Sequence, residues 1–412
     1  MEAPPPIRVG LVGCGTYGRQ AQLPLLLALG SCRVTALANR SPDPLQEALK
    51  MSREAGHDPA TYSQWAQVMH DPQVDAVVAA LPPSFNGPLV KMADELGKPI
   101  LIEKPVASSL QDLQEVQKVA RRRRIHIQVG TQLLFGSWFK QFEAAIEAMG
   151  ELVALNCLVY GDDRWELEPM TWKVDRDASG GLLNSWGAHV LTMMLKLAAR
   201  QGRDAGWDAD YAELSAFAGT AFDREGVDPS MYDSVSAGWL TLGPGDTAVP
   251  CHLSYCAHPD VRRRTWRLEA ICTAGRIDGD VIDRTICTLP RGRSGPEVLG
   301  PGSAGRGAES GGADSGGADS GRGPCDSGRR ALEFFLDRVR EGSVDQGTLQ
   351  VAGTACRFAL EVNVNPTSNG DAPEPNDAEP DRRPPKRSHK KRSRPDEDRA
   401  GPPPDRPRRG RR

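Results

Sequence analysis

Gly13-Cys14-Gly15-Thr16-Tyr17-Gly18 has the spacing G-x-G-x-x-G and lies between a short apolar run, Ile7 to Val12, and an apolar helical pattern, Gln20 to Leu29. Each glycine answers a separate physical need. The first permits a tight strand-to-helix turn, the second lets a pyrophosphate approach bare backbone, and the third lets helix and strand pack closely. The phosphates then meet the positive end of the helix dipole. A second strand, Arg33 to Ala38, ends in Asn39-Arg40-Ser41, where the ribose-reading residue of a dinucleotide site belongs. A carboxylate there accepts from the ribose 2'-hydroxyl of NAD, whereas a guanidinium and a hydroxyl suit a 2'-phosphate. NADP(H) is therefore favoured, with NAD(H) also possible. The alternatives are a purely structural glycine turn, and an Arg40 that covers the adenine of NAD as a planar cation.

These residues need a sheet to hold them. Val74 to Ala80 is a near-continuous apolar run, expected as a buried parallel strand stopped by Leu81-Pro82-Pro83. Helix Gly87 to Leu96 and strand Pro99 to Ile102 follow, and the strand delivers Glu103-Lys104-Pro105 at its carboxyl end. Ligands of open α/β sheets lie outside the carboxyl ends of strands, so these three residues should face the cofactor crevice. Helix Leu110 to Arg124 and strand Ile125 to Val129 complete a doubly wound domain, 1–130. After a helix, Phe139 to Met149, the pattern changes to alternating runs: Leu152 to Tyr160, Leu214 to Thr220, Ser234 to Leu242, Cys251 to Ala257, Thr265 to Cys272 and Thr285 to Leu289. Strands in succession without intervening helices predict a mostly antiparallel, open-faced sheet in an α+β domain, 131–290 and 331–365, with a helical region Gly181 to Ala199 inside it. Residues 291–330, rich in Gly, Ser and Ala, are expected to be a flexible insertion, and 366–412 a disordered, basic, Pro-rich tail.

A chain of 412 residues has room for two cores. Its formal net charge of -3 hides a basic tail on a distinctly acidic remainder, which argues against nucleic-acid binding by the globular part. Nine cysteines without C-x-x-C pairs suggest reduced thiols, and no run is apolar enough to span a bilayer, so a cytoplasmic protein is expected.

With the glycine loop, Leu81-Pro82-Pro83, Glu103-Lys104-Pro105, and Gly180-Gly181 followed by Gly187-Ala188-His189, the chain resembles the glucose-fructose oxidoreductase / inositol dehydrogenase (Gfo/Idh/MocA) family from the glycine loop to about Val364. The resemblance implies a Rossmann domain, an open-faced sheet used for substrate binding and oligomer contacts, and hydride transfer between a nicotinamide and a secondary alcohol or ketone of a sugar-like or cyclitol-like metabolite. It makes Lys104 the catalytic lysine, hydrogen-bonded to the reacting oxygen, and beside an oxidised nicotinamide such an amine should exchange a proton near neutrality. It makes His189 the histidine that contacts the reacting hydroxyl and relays protons. It further implies that Glu103 holds the nicotinamide ribose and that Pro105 fixes the turn, through a cis bond. Thr16, Tyr17, Leu81, Pro82 and Asn86 join the cofactor set, and Gln132, Trp172 and Asn184 the substrate set.

Three positions depart from the family's pattern. Ser185, the third catalytic candidate beside Lys104 and His189, stands where an Asp is common, and a serine can orient a hydroxyl without supplying negative charge. Thr131-Gln132 is followed by Leu133-Leu134 where basic residues are common, and Asn86 replaces a common histidine. With Trp165, Trp172 and Trp186 expected around the cleft, these changes hint at a substrate less polar than a free sugar.

No metal site is expected. His252, Cys256 and His258 share a strand face but spread over about 20 Å. The basic tail would bind polyanions weakly. A homodimer or homotetramer is expected, because an open sheet face is usually apolar enough to need covering. NADPH-dependent ketone reduction is the favoured activity. One alternative is a glycosidase or lyase that uses transient oxidation by a retained cofactor without net redox change. Another is a non-catalytic, cofactor-binding regulatory protein.

Overall fold

The computed structural model describes residues 4–161, 172–199, 209–220, 231–243, 247–257, 264–293, 295–299 and 326–364. The tail, most of the insertion, Trp165 and His258 lie outside the described residues.

The first half alternates strand and helix: β1 (Ile7–Val12), α1 (Leu23–Ala28), β2 (Cys32–Ala38), α2 (Pro42–Glu54), β3 (Ala60–Tyr62), α3 (Trp65–His70), β4 (Ala76–Ala79), α4 (Asn86–Leu96), β5 (Ile100–Ile102), α5 (Leu110–Ala120) and β6 (Ile127–Val129). The strands form one sheet in the order β3-β2-β1-β4-β5-β6, every pair parallel. β1, β4 and β5 are almost wholly buried, as expected of strands covered on both faces. The order reverses between β1 and β4, the switch point at which such sheets open a crevice.

Two local features differ from expectation. The helix after the glycine loop begins as a wide turn, Gly18–Gln22, in which the Leu23 N–H reaches back five residues to the Gly18 carbonyl. Pro24 explains it: proline has no N–H to give Gln20, and its ring crowds the preceding turn, so the chain widens before α1 proper. The arginines after α5 do more than balance its dipole. Arg122 donates to Asp94 of α4 at 2.8 Å, and Arg124 lies 3.8 Å from the same carboxylate, whose side chain is buried.

The second half contains α6 (Ser137–Ala148), β7 (Leu152–Gly161), α7 (Arg176–Ser179), α8 (Leu182–Ser185), α9 (Ala188–Ala198), β8 (Asp210–Gly219), β9 (Ser234–Leu242), β10 (Ala248–Ala257), β11 (Thr265–Cys272), β12 (Gly275–Asp280), β13 (Thr285–Pro290), β14 (Glu297–Leu299), α10 (Asp326–Glu341) and α11 (Gly347–Val364). The sheet order is β14-β13-β12-β11-β7-β10-β9-β8. It is antiparallel except at β7–β10, which run parallel because helices α7 to α9 and the β8–β9 hairpin intervene between them. β14 and the first residues of α10 fall inside the span expected to be flexible.

Alternate residues of the second sheet point inward to a core shared with α6, α9 and α11. The outward face is polar at its centre, unlike the apolar surface expected. Asn156 donates to Glu269 at 2.9 Å, Arg276 bridges Glu269 and Asp278, and Arg267 lies 3.6 Å from Asp280. Asn156, Arg267, Glu269, Asp278 and Asp280 line a groove of about 680 Å³. α10 packs Leu332, Phe335 and Leu336 against the β1–β2 side of the first sheet. α11 carries two apolar stripes: Leu349, Ala352, Cys356 and Leu360 enter the core of the first sheet, while Val351, Ala355, Phe358 and Val362 enter that of the second.

Candidate active site

The glycine loop has the three different environments that its spacing predicts. Gly13 adopts φ +90°, and a Cβ there would strike the Ala80 carbonyl. A Cβ on Gly18 would strike the Gly13 carbonyl, so close packing of turn against helix needs a bare Cα. Gly15 has open space where its Cβ would be, and Gly15 and Thr16 are both exposed. Cys14, by contrast, is buried, and burial pushes its thiol up to about 12. An exposed backbone at a helix start, beside the switch point, suits a dinucleotide pyrophosphate.

Asn39 secures the neighbouring loop. Its Oδ1 accepts from the Cys14 N–H at 3.0 Å and its Nδ2 donates to the Ser41 carbonyl at 2.8 Å. Arg40 and Ser41 are exposed directly before α2, and among the described residues Arg40 has neither an ion pair nor a side-chain hydrogen bond. A guanidinium, a hydroxyl and the positive end of a helix thus stand together, a donor set that fits a phosphate.

Leu81 and Pro82, half-buried, end the β4 loop, and Asn86 is fully buried at the start of α4. The Asn86 Nδ2 lies 3.2, 3.0 and 3.2 Å from the carbonyls of Glu103, Pro105 and Val106, so this side chain holds the turn that carries Lys104. The Lys104–Pro105 peptide is cis. Glu103 is buried, and its carboxylate accepts from Gln22 Nε2. Lys104 Nζ donates across the cleft to the main-chain carbonyl of Ser185 at 3.2 Å.

The facing wall is built from glycines and asparagines. Asp175 caps α7 by accepting from the N–H groups of Asp177 and Ala178, and Gly180 ends it at φ +74°. Gly181 follows at φ +92°, and a Cβ on either glycine would strike the Asn184 or Asn363 amide. Asn184 Nδ2 donates at 2.8 Å to both Ala107 O and Ser179 O, and Asn363 Nδ2 donates to Gly180 O at 2.6 Å. Asn184 is completely buried, with both amide hydrogens committed to main chain. The Ser185 hydroxyl donates to Leu182 O at 3.4 Å, so the carbonyl of this residue faces Lys104. His189, the second residue of α9, is buried.

Gln132 and Tyr17, taken separately as substrate and cofactor candidates, are brought together: Gln132 Nε2 donates to the Tyr17 hydroxyl at 3.2 Å. Trp172 is half-buried in a single turn, Trp172–Val174. Trp186 packs into the second core against Tyr255 and Trp266, with the Arg264 guanidinium 5.5 Å from its ring centre. Among the described residues, no group of three or more His, Cys, Asp or Glu side chains is arranged to hold a metal ion, and no helix is long and apolar enough to cross a membrane. Gln22, the partner of Glu103, has no motif of its own; the signal that could have found it is Pro24, two residues on.

Residues 7–131 match a family described as oxidoreductases with an NAD-binding Rossmann fold, Gfo/Idh/MocA. Inositol 2-dehydrogenase 1 of Saccharopolyspora erythraea is 29% identical over 156 residues, covering 37% of this chain and 45% of that protein. The chain spans about half the length of the curated relatives it matches. Among solved structures, levoglucosan dehydrogenase in complex with NADH is similar with a TM-score of 0.67 at 18% identity, covering 87% of this chain and 98% of that one. A 3-ketoreductase from Actinomadura kijaniata, in complex with NADP and TDP-benzene, is similar with a TM-score of 0.62 at 18% identity, covering 87% and 97%. At these identities the structural likeness speaks to the fold.

Proposed function

We propose, from the premise that the chain belongs to the Gfo/Idh/MocA oxidoreductases, that it is an NAD(P)-dependent enzyme acting on a secondary alcohol or ketone of a sugar-like or cyclitol-like metabolite. In this proposal NADPH is the preferred cofactor and ketone reduction the working direction. The observation that carries it is the meeting of the glycine loop with the Lys104 turn at the carboxyl ends of β1 and β5, Lys104 reaching 3.2 Å to the wall opposite.

The Gly13–Gly18 loop would hold the pyrophosphate, Arg40 and Ser41 the 2'-phosphate, and Glu103 the nicotinamide ribose. Bound nicotinamide supplies or accepts the hydride. Lys104 holds the proton that the substrate oxygen takes up or gives back, and the Ser185 carbonyl fixes the direction in which the ammonium points. His189 relays that proton, and Gln132 and Trp172 bound the substrate space. Asn86 and Asn184 act on the two walls through main-chain carbonyls. We further assign the protein to the cytoplasm, in keeping with eight described cysteines that are all free thiols, and its assembly as a homo-oligomer to the groove face of the second sheet.

Titration with NADPH and with NADH, followed by tryptophan-to-nicotinamide energy transfer, tests the cofactor assignment. Wild type should favour NADPH. Arg40→Ala should weaken NADPH by roughly tenfold, about 1.4 kcal/mol, and leave NADH unchanged. Equal affinities unaffected by the substitution would overturn the 2'-phosphate site and reopen NAD-dependent alcohol oxidation.

A further inference from the structure

The buried Glu103 carboxylate sits in a slot with two walls, and neither wall belongs to a recognised motif. On one side Gln22 Nε2 donates to Glu103 Oε1. On the other is the bare Cα of Gly130, where a Cβ would stand 2.6 Å from Oε2 and 2.7 Å from Oε1. Gly130 does not have a left-handed φ, so its lack of a side chain is a matter of space for this carboxylate. The main chain here is fixed independently, since the Gly130 N–H donates to Ile102 O at 2.8 Å.

Gln22 reaches Glu103 because of the wide turn before α1. Wide turns of this kind shift the direction of the side chains they carry and recur at functional sites. Gln22 is itself only 7% exposed, and its Oε1 is buried without a partner among the described residues. An N–H donor on a bound ligand would satisfy that oxygen.

We propose that Gln22 and Gly130 are positioning residues for the nicotinamide end of the cofactor site: they clamp the Glu103 carboxylate and, through it, the turn that bears Lys104. The clamp rests on the function proposed above and deepens it. Glu103 is the cofactor contact; Gln22 and Gly130 act through it.

The test is a double-mutant cycle read as NADPH affinity by energy transfer, with thermal unfolding of each unliganded variant alongside. Gln22→Leu, Gly130→Ala and Glu103→Gln should each weaken binding by roughly tenfold, and Gln22→Leu combined with Glu103→Gln should be no worse than Glu103→Gln alone. Gln22→Glu keeps the side chain's shape and sets two carboxylates in contact, so it should lose more affinity than Gln22→Leu. Losses that add in the double mutant, or that simply follow the melting temperature, would overturn the clamp, as would unchanged affinity in Gln22→Glu and Gly130→Ala. A wild-type protein that binds neither NADPH nor NADH would remove the functional premise as well, so the two failures are told apart by the wild-type titration.

Discussion

Two glycine-marked turns, each followed by a helix, lie one in each half of the described fold, and they use their glycines for opposite ends. In the Gly13–Gly18 loop the backbone is left open to the outside, with Gly15 and Thr16 exposed and free space at the missing Cβ of Gly15. In the Gly180–Gly181 turn nothing is left open: residues 179–199 are buried without interruption, and the glycines make room for the amides of Asn184 and Asn363. The same residue type therefore leaves backbone open in one place and seats a hydrogen-bonded core in the other. Exposure separates the two cases, and exposure is a property of the tertiary fold.

Lys104 joins the turn after β5 to Ser185 on the facing wall, so its removal should have the largest effect. Lys104→Met should cut kcat by roughly 10² to 10⁴ while leaving cofactor affinity nearly intact, measured by steady-state turnover and nicotinamide titration. Retained turnover would move the proton chemistry to another group. Next comes a contrast between glycines. Gly181→Ala forces a left-handed backbone and a collision with Asn363, and should cost about 3 kcal/mol in urea unfolding. Gly15→Ala should change stability by less than about 0.5 kcal/mol and yet weaken cofactor binding by roughly tenfold. Equal stability losses at both positions would erase the distinction.

The smallest effect concerns pH. His126 is buried, stacked on Phe335, with Nδ1 beside the main chain of Asp345, and burial holds its pKa below the ordinary histidine value. The unfolded chain therefore takes up this proton first as pH falls. Stability is full above about pH 6.5 and declines below it toward the folded-state pKa. The melting temperature should drop across that window, and His126→Gln should flatten the drop. A wild-type profile with no slope there would exclude His126 as its source.

Much of this could be read from residue order because its causes are local. The runs at β4 and β5 are apolar throughout, and that at β1 is apolar but for Arg8, because both faces are covered, and the glycine spacing follows from the turn it must make. What escaped was set by distant contacts or by a single residue. β12, Gly275–Asp280, is short, charged and carries two glycines, and it is a strand because β11 and β13 flank it. The parallel pairing of β7 with β10 joins residues about a hundred positions apart, beyond the reach of any periodicity. Asn184, beside the position where a catalytic Asp is common, looked like a group for substrate, whereas its amide holds main chain from both walls. Gln22 sat in an ordinary helical pattern until Pro24 widened the turn.

The two apolar stripes of α11 also bear on the order in which the chain can fold. Neither core is closed until Leu349 to Val362 are in place, and those residues are synthesised after every strand of both sheets. A nascent chain carrying all fourteen described strands would still present an open apolar seam on each half. One late helix then seals both seams together, so the crevice gains its two walls in a single event after the last described strand has been made.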